Sequence, residues 1–313
     1  MTHADIAIIG AGMAGLSAAE HLVAAGRRVM LFDKGRRPSG RLASRLVDAG
    51  DHRFAFDYGA QYMTARDPGF RARLDRWARD GVAAPWPAAG DDAWIGVPAM
   101  DAPLAAMAAA VQVEWSAHVR AVARDGAGWH LCFDDARRGP FGHVVLAMPA
   151  EQVADMAASV DPALAALAMA HPSAPCWTAM LGFDRPVDAP ALLDGDGVID
   201  RAVRNAAKPA RGAGEGWTLH ADADWSARHI EDDRAAVAHA LTRALAVRIP
   251  GLPMPVHAAA HRWRYARSGA AGIGSYRNAA LGLSACGDWL LAPRVESAWL
   301  SGLRAAEAML ADG

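Results

Sequence analysis

Cysteine is scarce in this sequence and is not arranged for disulfides or for metal binding. The chain of 313 residues has three cysteines, Cys132, Cys176 and Cys286, with no C-x-x-C pair. The histidines show no H-E-x-x-H motif, and the helically spaced His257 and His261 flank an apparent strand, so we expect no metal site. Unpaired thiols of this kind are typical of a reducing cytoplasm, which is the expected compartment.

Long apolar runs and strong net charge are also missing. No run reaches the roughly 18 apolar residues that a membrane span requires. The 32 basic and 34 acidic residues leave a net charge of -2, which gives no reason to expect a nucleic-acid partner. G-x-S-x-G is absent and no pair of acids stands close to a motif, so we expect the reaction chemistry to come from a cofactor.

A glycine-rich turn follows the first apolar strand. Residues 5–9 run into G-x-G-x-x-G at Gly10, Gly12 and Gly15, and an amphipathic helix follows over residues 16–25. The first glycine permits a tight turn, the second lets the backbone approach a pyrophosphate, and the third lets helix and strand pack closely. The free amides at the helix start add anion binding.

A carboxylate stands where a dinucleotide site needs one. Residues 28–32 read as a second strand that ends in Asp33, the expected acceptor for a ribose hydroxyl. The sequence therefore predicts a dinucleotide-binding βαβ unit; the alternative is an ordinary βαβ unit with a glycine turn.

Two segments further along resemble the glutathione-reductase-type FAD proteins, specifically the amine-oxidase and renalase branch. Gly40 and Arg41 form a glycine–arginine pair after Asp33, and Asp57-Tyr58-Gly59-Ala60-Gln61-Tyr62 adds another glycine turn. In that branch the arginine of G-G-R approaches the pyrophosphate and a D-x-G-A segment passes the flavin ring. The chain departs from the pattern in having Asp33 for the usual glutamate and Ser39 for the first glycine of G-G-R.

The far end of the chain resembles the same branch. A strand over residues 283–286 ends in Gly287-Asp288, and a helical run extends from Val295 to Leu310. The resemblance implies that Gly287-Asp288 contacts the ribityl chain and that the amide of Val295 or its neighbour faces the flavin N1 and C2 carbonyl, where negative charge gathers on reduction. A plain C-terminal helix is the alternative. The residues assigned to the cofactor on these grounds are Gly10, Gly12, Met13, Ala14, Gly15, Asp33, Lys34, Arg41, Gly59, Ala60, Gln61, Tyr62, Val119, Gly287, Asp288, Val295, Glu296 and Ala298.

The resemblance to renalase-like proteins covers nearly the whole chain. It includes residues 59–68, 177–183, 261–266 and 286–289. It implies FAD-dependent oxidation of a small reduced molecule, which for renalases is an isomeric 2- or 6-dihydro form of NAD(P)H, with the electrons passing to O2 or another acceptor. No cysteine or histidine lies in a recognisable flavin-attachment motif, so the FAD is expected to be noncovalent.

The predicted fold is α/β, with a glutathione-reductase-type Rossmann FAD-binding domain interleaved with a smaller α+β substrate domain. The length allows about two domains. We expect the FAD-binding domain over residues 1–66, 101–158 and 278–313, and the substrate domain over residues 67–100 and 159–277.

The substrate site is expected to be a flat, dry slot that stacks a ring about 3 to 3.5 Å from the flavin. Tyr62, Trp263 and Trp289 are the predicted walls, and core packing is the alternative for each. Lys208 and Arg211 are either a phosphate grip or, as we favour, exposed loop cations.

Three functions remain open from the sequence. The first is a renalase-like oxidase of dihydropyridine nucleotides. The second is an amine oxidase, a family that often keeps a lysine bridged through water to the flavin N5; Lys208 is the lysine available in the substrate half, which weakens that interpretation. The third is a noncatalytic flavoprotein.

Overall fold

The computed structural model describes residues 5–212 and 214–311. The strands, in chain order, are β1 (Ile6–Ile9), β2 (Val29–Asp33), β3 (Ser44–Ala49), β4 (His52–Asp57), β5 (Met63–Thr64), β6 (Ala83–Pro85), β7 (Ala93–Gly96), β8 (Val113–Trp115), β9 (Ala121–Asp125), β10 (Gly128–Cys132), β11 (Arg137–Phe141), β12 (His143–Leu146), β13 (Ala174–Phe183), β14 (Leu192–Asp196), β15 (Ile199–Arg204), β16 (Glu215–Ala221), β17 (His257–Arg267), β18 (Tyr276–Asn278) and β19 (Leu283–Ala285). The helices are α1 (Met13–Ala24), α2 (Pro68–Arg79), α3 (Ala102–Ala108), α4 (Ala150–Ala157), α5 (Pro162–Met169), α6 (Ala223–Arg228), α7 (Arg234–Arg248) and α8 (Val295–Ala311), with short 3-10 turns at Gly40–Leu42, Pro87–Ala89, Asn205–Ala207 and Asp288–Leu290.

The described chain divides into two compact units, each assembled from separate segments. Unit 1 comprises the described residues of 1–40, 104–173 and 268–313, and unit 2 comprises those of 41–103 and 174–267. Among residues 5–212 and 214–311, no helix is both long enough and apolar enough to cross a membrane.

Unit 1 is built on a six-stranded sheet in the order β18-β19-β12-β1-β2-β8. Strand β1 lies at its centre, parallel to both β2 and β12, with Ile8 opposite Leu31 on one side and Val145 on the other. All four residues of β1 are buried, as expected of a strand covered on both faces. The predicted Rossmann arrangement and α/β fold class are confirmed.

Helices α1 and α8 pack closely within unit 1. A Cβ atom at Gly302 would lie 2.1 Å from the carbonyl oxygen of Ala14, so the two helices approach at a distance that only glycine allows. The hydroxyl of Ser17 also donates to the carbonyl oxygen of Trp299 at 2.8 Å. The C-terminal helix is thus fixed against the helix that follows the glycine-rich turn.

Unit 2 is built on an antiparallel five-stranded sheet in the order β14-β15-β16-β13-β17. Because side chains alternate along a strand, β13 directs Trp177, Ala179 and Leu181 into an apolar cluster with α7, and Met180 into a second cluster on the opposite face. On that opposite face the Phe54 ring of β4 lies against Gly182, where a Cβ atom would come within 2.6 Å of the ring.

Two helices of unit 2 show how local sequence sets helix boundaries. Helix α2 begins one residue after Asp67, whose carboxylate accepts from the amides of Gly69 and Phe70. The sequence predicts this helix over residues 66–80. Helix α7, predicted over residues 231–247, begins at Arg234 because the Asp233 carboxylate caps it.

Each compact unit combines separate segments of the chain, and the bounds of these segments differ from those expected for the two domains. Residues 41–66 belong to unit 2 rather than to the cofactor domain, because Phe54 and Phe56 of β4 form an apolar cluster with Met180 of β13. Residues 159–173 belong to unit 1, since Leu164 of α5 joins the core that contains Leu146. Residues 268–277 also belong to unit 1, where β18 pairs with β19.

Candidate active site

The glycine-rich turn of unit 1 has the geometry that its sequence predicts. Gly10 has a φ of 106°, and a Cβ atom there would lie 2.3 Å from the carbonyl oxygen of Ala147. A Cβ atom at Gly15 would lie 1.9 Å from the carbonyl oxygen of Gly10. Both positions therefore require glycine, one for its backbone conformation and close approach, the other for helix–strand packing.

Gly12 differs from these two glycines because it faces open space. No atom lies within 4 Å of the Cβ position at Gly12, and this residue is the N-cap of α1 without a side-chain hydrogen bond. The first turn of α1 carries no acidic side chain, so its amides present an uncompensated positive end. An anion such as a pyrophosphate fits this end, which contains Met13 and Ala14.

The Asp33 carboxylate holds the glycine-rich turn and retains hydrogen-bond acceptor positions for a ligand. Its Oδ2 accepts from the amide of Ala11 at 2.7 Å, and its Oδ1 accepts from the amide of Gly35 at 2.6 Å. A carboxylate has about four acceptor positions, so two remain for ribose hydroxyls. The neighbouring Lys34 is exposed, whereas the Val119 side chain is buried in the core of unit 1.

The second cofactor motif of unit 1 lies at the start of α8. This helix begins at Val295, as predicted, and Glu296 and Ala298 in its first turn are buried. The amide of Gly287 donates to the hydroxyl of Ser301 at 2.9 Å. These contacts fix the Gly287 turn against α8.

Asp288 and Trp289 follow that turn in different environments. The Asp288 Oδ2 accepts from the Ser268 hydroxyl at 2.9 Å. Trp289, expected as a wall of the substrate slot, instead lies in the hydrophobic core of unit 1 with 0% of its surface exposed. A ring without exposed surface cannot form the wall of an open slot, so we withdraw this assignment in favour of core packing.

In unit 2, Asp57 is the centre of a buried charge cluster. Its Oδ2 lies 2.9 Å from Nζ of Lys208 and 2.8 Å from Nη2 of Arg211. Its Oδ1 accepts from the Ser44 hydroxyl at 2.7 Å and from the amide of Met100 at 3.1 Å. The two predicted loop cations are therefore not exposed: they neutralise a buried carboxylate, which alone would be very costly to desolvate.

The loop that carries both cations is fixed at its start and strained at its centre. The Asn205 side chain accepts from the amide of Asp57 at 3.1 Å and donates to the Thr218 hydroxyl at 2.7 Å. Ala210, between Lys208 and Arg211, has a φ of 59°, a left-handed conformation that is uncommon outside glycine. The ion pairs on both sides of Ala210 hold the loop in this shape.

The charge cluster shifts the pKa values of Asp57 and Lys208. Burial would raise the pKa of the Asp57 carboxyl, but Lys208 and Arg211 outweigh burial and lower this pKa to about 2. Burial lowers the pKa of Lys208, with a contribution from the positive charge of Arg211 and against the attraction of Asp57. Asp57 is therefore ionised at every physiological pH.

The turn after Asp57 packs against Arg41, the residue that is predicted to approach the pyrophosphate. A Cβ atom at Gly59 would lie 2.2 Å from the carbonyl oxygen of Arg41, and the amide of Ala60 donates to that oxygen at 2.8 Å. Gln61 is buried, and its side chain donates to the carbonyl oxygens of Asp57 and Gly59. The Gln61 Oε1 also accepts from Nζ of Lys208 at 3.2 Å, so this side chain joins the charge cluster.

Trp263, a predicted slot wall, belongs to an aromatic group at the end of β4. Its ring stacks on Tyr58 with centroids 5.5 Å apart, and its indole N–H donates to the Tyr58 carbonyl oxygen at 2.9 Å. His261 meets both rings edge-on, at 4.5 Å and 5.0 Å. Burial, with the positive charges of Arg45 and Arg234, lowers the pKa of His261 to about 4, so this imidazole is neutral near pH 7.

Tyr62, another predicted wall, lies in a different group of unit 2. Its hydroxyl oxygen accepts from Nη1 of Arg201 at 2.7 Å. Its ring lies 6.0 Å from the Trp86 ring, and Nζ of Lys208 lies 5.4 Å from that Trp86 ring.

Sequence reasoning missed the partners that complete both aromatic groups. Tyr58 and Asp57 stand within a motif that was assigned only through its glycine turn. Arg201 and Trp86 carried no motif, and His261 entered only as part of the segment 261–266 and of the rejected metal pair with His257. The isolation of Lys208, one of two lysines in the chain, was the one signal that could have marked the charge cluster.

Comparison with known proteins agrees with the geometry of the glycine-rich turn. Residues 8–77 match the NAD(P)-binding Rossmann-like domain, and residues 88–310 match the family of flavin-containing amine oxidoreductases. The chain belongs to the flavin-containing amine oxidoreductase family. Its cofactor is FAD, which the open helix end at Gly12 and the two free acceptor positions of Asp33 fit.

Solved structures of similar fold cover nearly the whole chain. A candidate protoporphyrinogen oxidase from Exiguobacterium sp. 255-15 superposes with a TM-score of 0.78 at 11% identity, covering 100% of both chains. Cyclohexylamine oxidase from Brevibacterium oxydans IH-35A superposes at 0.70 with 14% identity over 99% of both chains. Putrescine oxidase bound to putrescine superposes at 0.67 with 14% identity, covering 98% of this chain and 99% of the other. Such identities show a shared fold and leave the substrate open.

Proposed function

We propose that this flavin-dependent oxidoreductase is a renalase-like oxidase of isomeric 2- or 6-dihydro-NAD(P)H. One hydride leaves the substrate ring as NAD(P)+ forms, and an acceptor such as O2 takes both electrons with two protons to give H2O2. Bound FAD supplies the site that accepts the hydride and later passes on the electrons. The protein must then bind and orient the reduced ring and keep water away from it.

The neutralisation of Asp57 is the observation that carries this proposal. A protonated amine substrate is best held by a carboxylate with free acceptor positions. Asp57 is the buried acid beside the predicted flavin-passing segment, yet Lys208, Arg211 and Ser44 already occupy its oxygens. The cluster favours an electron-rich or anionic ring over a cation.

The aromatic group of unit 2 supports the same substrate class. Trp263 and Tyr58 supply stacked apolar faces, and Arg45 lies 4.8 Å from the centre of the Tyr58 ring. His261 is neutral near pH 7 because of its lowered pKa. Flat rings beside fixed positive charge suit a planar substrate that carries phosphates elsewhere.

Oxidation of a small amine is the second candidate. The family itself favours it, since cyclohexylamine oxidase and putrescine oxidase share the fold. The buried Lys208 is the lysine that such a mechanism would use, but its Nζ is already bound to Asp57 and Gln61. We therefore rank this function below the first.

Anaerobic reduction of the purified holoenzyme separates the two candidates. We expect 2-dihydro and 6-dihydro NAD(P)H to bleach the flavin absorbance rapidly, ordinary 4-dihydro NADH to bleach it poorly, and benzylamine or polyamines to leave it unchanged. With O2 present, one H2O2 should form per NAD(P)+. Rapid bleaching by benzylamine or by ordinary NADH, without a response to the isomers, would reassign the enzyme as an amine oxidase or a reductase. A flavin that no donor bleaches would indicate a noncatalytic flavoprotein.

A further inference from the structure

A cavity of about 390 Å³ lies in unit 1, at the edge of the sheet opposite the glycine-rich turn. Leu281, in its wall, precedes β19, and β19 runs parallel to β12 and through it to β1. The cavity therefore lies at the amino ends of these strands. Gly10 and Gly287 follow the carboxyl ends of β1 and β19, where cofactors bind in sheets of this kind. The cavity is thus separate from the FAD site.

Three connections of unit 1 form the accessible wall of this cavity. The β9–β10 hairpin contributes Arg124 and Gly126, the turn between α4 and α5 contributes Ser159 and Val160, and the connection before β19 contributes Leu281. The first three of these residues are exposed, and Val160 and Leu281 are half-buried. The volume is within the range of small-molecule sites, and a ligand can reach each of these residues from solvent.

Hydrogen bonds link the three connections to one another. The indole N–H of Trp129, on β10, donates to the carbonyl oxygen of Leu281 at 2.7 Å. The Asn278 side chain accepts from the amide of Leu281 at 3.3 Å and donates to the Asp161 carboxylate at 3.0 Å. Asp161 follows Val160 and caps α5. The wall is therefore fixed before a ligand binds, so binding does not have to order it.

The strand register places a cation at the cavity and engages the neighbouring carboxylate elsewhere. Arg124 lies opposite Trp129 in the β9–β10 pair, so both side chains are on the face of the hairpin that packs on the core of unit 1. Asp125 also borders the cavity, but its carboxylate contacts His130 at 3.0 Å and Arg137 at 3.1 Å. Side chains alternate along a strand, so these contacts are on the other face.

Two polar groups of the wall are available to a ligand. Among residues 5–212 and 214–311, the Arg124 guanidinium has no ion pair or hydrogen bond, and the Ser159 hydroxyl has no hydrogen bond. A guanidinium presents paired N–H donors that match the two oxygens of a carboxylate. Val160 and Leu281 add apolar surface to the same wall. The cavity therefore offers a place for a carboxylate and a place for a short apolar chain.

We propose that this cavity binds a small carboxylate that carries a short aliphatic chain. Arg124 pairs with the carboxylate, Ser159 donates a hydrogen bond to it, and the chain contacts Val160 and Leu281. One guanidinium balances the single negative charge of a carboxylate, whereas the apolar part of the wall would desolvate a phosphate without compensating it. The site does not depend on which donor reduces the flavin.

Binding of 3-methylbutyrate to the holoenzyme tests this site. Ligand-observed NMR titration gives the dissociation constants, with two comparison probes: 3-methylbutylamine has a similar chain and the opposite charge, and acetate has the carboxylate without the chain. We expect 3-methylbutyrate to bind at least about tenfold more tightly than either of them, a difference of about 1.4 kcal/mol. The flavin absorbance should not change, because the cavity is at the sheet edge away from the FAD site.

Substitutions in the wall separate the cavity from a free surface cation. Arg124→Gln removes the cation, and Ser159→Trp keeps the cation but fills the cavity; each should weaken binding of 3-methylbutyrate at least about tenfold. Val160→Thr replaces one methyl group and should reduce the preference for 3-methylbutyrate over acetate by about threefold. Arg27→Gln is the matched control, because Arg27 is an exposed arginine of the same unit outside the cavity wall. Melting temperature and FAD content report folding, and Val160→Thr preserves the side-chain shape if a larger change folds poorly.

Each outcome supports or overturns the site. Loss of 3-methylbutyrate binding in Arg124→Gln and Ser159→Trp, with Arg27→Gln unchanged, confirms it whichever donor bleaches the flavin. Equal affinities for 3-methylbutyrate and 3-methylbutylamine, or undiminished binding in Arg124→Gln, overturn the carboxylate site. Undiminished binding in Ser159→Trp means that the probe meets Arg124 from solvent, which overturns the cavity as its location. A change in flavin absorbance that persists in both variants places the probe at the flavin and overturns the site as well.

Discussion

Nζ of Lys208 lies 2.9 Å from Oδ2 of Asp57, and neither side chain has exposed surface. Arg211 completes the cluster, so a net positive charge is buried with a single carboxylate at its centre. The cluster holds the turn after β4 through Gln61, whose side chain contacts both Asp57 and Lys208. The charge cluster therefore positions the segment from Asp57 to Tyr62, which is predicted to pass the flavin ring, within unit 2.

Replacing Asp57 with asparagine should destabilise the protein strongly. The change leaves Lys208 and Arg211 buried without a counter-charge, and breaking a buried ion pair in this way costs about 3 to 5 kcal/mol. The free energy of unfolding is measured with denaturant and tryptophan fluorescence. Asp48→Asn is the control, since Asp48 is an exposed carboxylate that contacts Arg53 and should change the stability by less than about 0.5 kcal/mol.

The loss of stability in Asp57→Asn should depend on pH in a defined direction. The pKa of Asp57 falls from 3.8 to about 2 on folding, so its ionised form contributes stability that is fully present above its unfolded pKa and lost as the pH falls through the folded pKa. The stability difference between the unmodified enzyme and Asp57→Asn should therefore shrink between about pH 4 and pH 2. A difference that stays constant across this window would show that the carboxylate charge is not the cause.

Much of unit 1 could be predicted because its signals are local in the sequence. The φ of 106° at Gly10 belongs to the turn itself, and Gly15 is required by a contact with the carbonyl oxygen of Gly10, five residues earlier. Asp33 bonds the amides of Ala11 and Gly35, as a carboxylate at the end of the second strand should. A glycine-rich turn between a strand and a helix is compatible with few backbone conformations. The geometry predicted from the motif therefore agrees with the structure.

The charge cluster of unit 2 could not be predicted in the same way. Asp57 is about 150 residues from Lys208 along the chain, and only the pairing of distant segments brings them together. Sequence reasoning judged Lys208 and Arg211 by the average behaviour of loop cations, which are mostly exposed. Trp289 was misjudged for the opposite reason, because it follows a cofactor motif but packs into the core.

The FAD should be released when the protein is denatured. We find no flavin-attachment motif in the sequence, and Cys286, next to the Gly287 turn, is fully buried. Burial raises the pKa of the Cys286 thiol to about 12, which makes the nucleophilic thiolate rare. Acid precipitation should leave the yellow colour in the supernatant, where chromatography identifies FAD. Colour retained in the pellet would mean a covalent link, and FMN would contradict the assignment of the cofactor.

Gly12→Ala should weaken FAD binding without weakening the fold. The Cβ position at Gly12 is open, so a methyl group there contacts nothing in the protein but would occupy the path predicted for the pyrophosphate. We expect the affinity of the apoprotein for FAD to fall at least about tenfold, or 1.4 kcal/mol, with the melting temperature of the apoprotein unchanged.

Gly126→Ala is the matched control for this change. Gly126 also lies in unit 1, has no atom within 4 Å of its Cβ position and does not have a left-handed backbone. Fluorescence titration of both apoproteins with FAD gives the comparison. Equal FAD affinities for the two variants would mean that the pyrophosphate does not pass Gly12.

Val295→Pro should lower the reduction potential of the flavin. Val295 is the first residue of α8, a position where proline preserves the helix but removes an amide donor. Losing one donor to developing negative charge costs on the order of 3 kcal/mol, which for a two-electron couple corresponds to about 60 mV. Val295→Ala keeps the amide and should keep the potential, as measured by dye equilibration. An unchanged potential in Val295→Pro, with FAD still bound, would mean that the helix start faces a different group.

Trp263→Ala should slow hydride transfer while leaving FAD bound. The Trp263 ring stacks on Tyr58 and its N–H fixes the Tyr58 carbonyl oxygen, so its loss removes a flat surface on which the substrate ring is expected to rest. We expect anaerobic bleaching by 2-dihydro or 6-dihydro NAD(P)H to slow at least about tenfold, the equivalent of about 1.4 kcal/mol of positioning. Trp263→Phe keeps a flat ring without the N–H, so it should slow the bleaching by a smaller factor than Trp263→Ala. Trp225→Ala, which removes an aromatic ring stacked on His229, should bleach at the unmodified rate. Equal rates for Trp263→Ala and Trp225→Ala would place the substrate ring away from Trp263, because a wall of the slot cannot be removed without changing how the reacting ring is held.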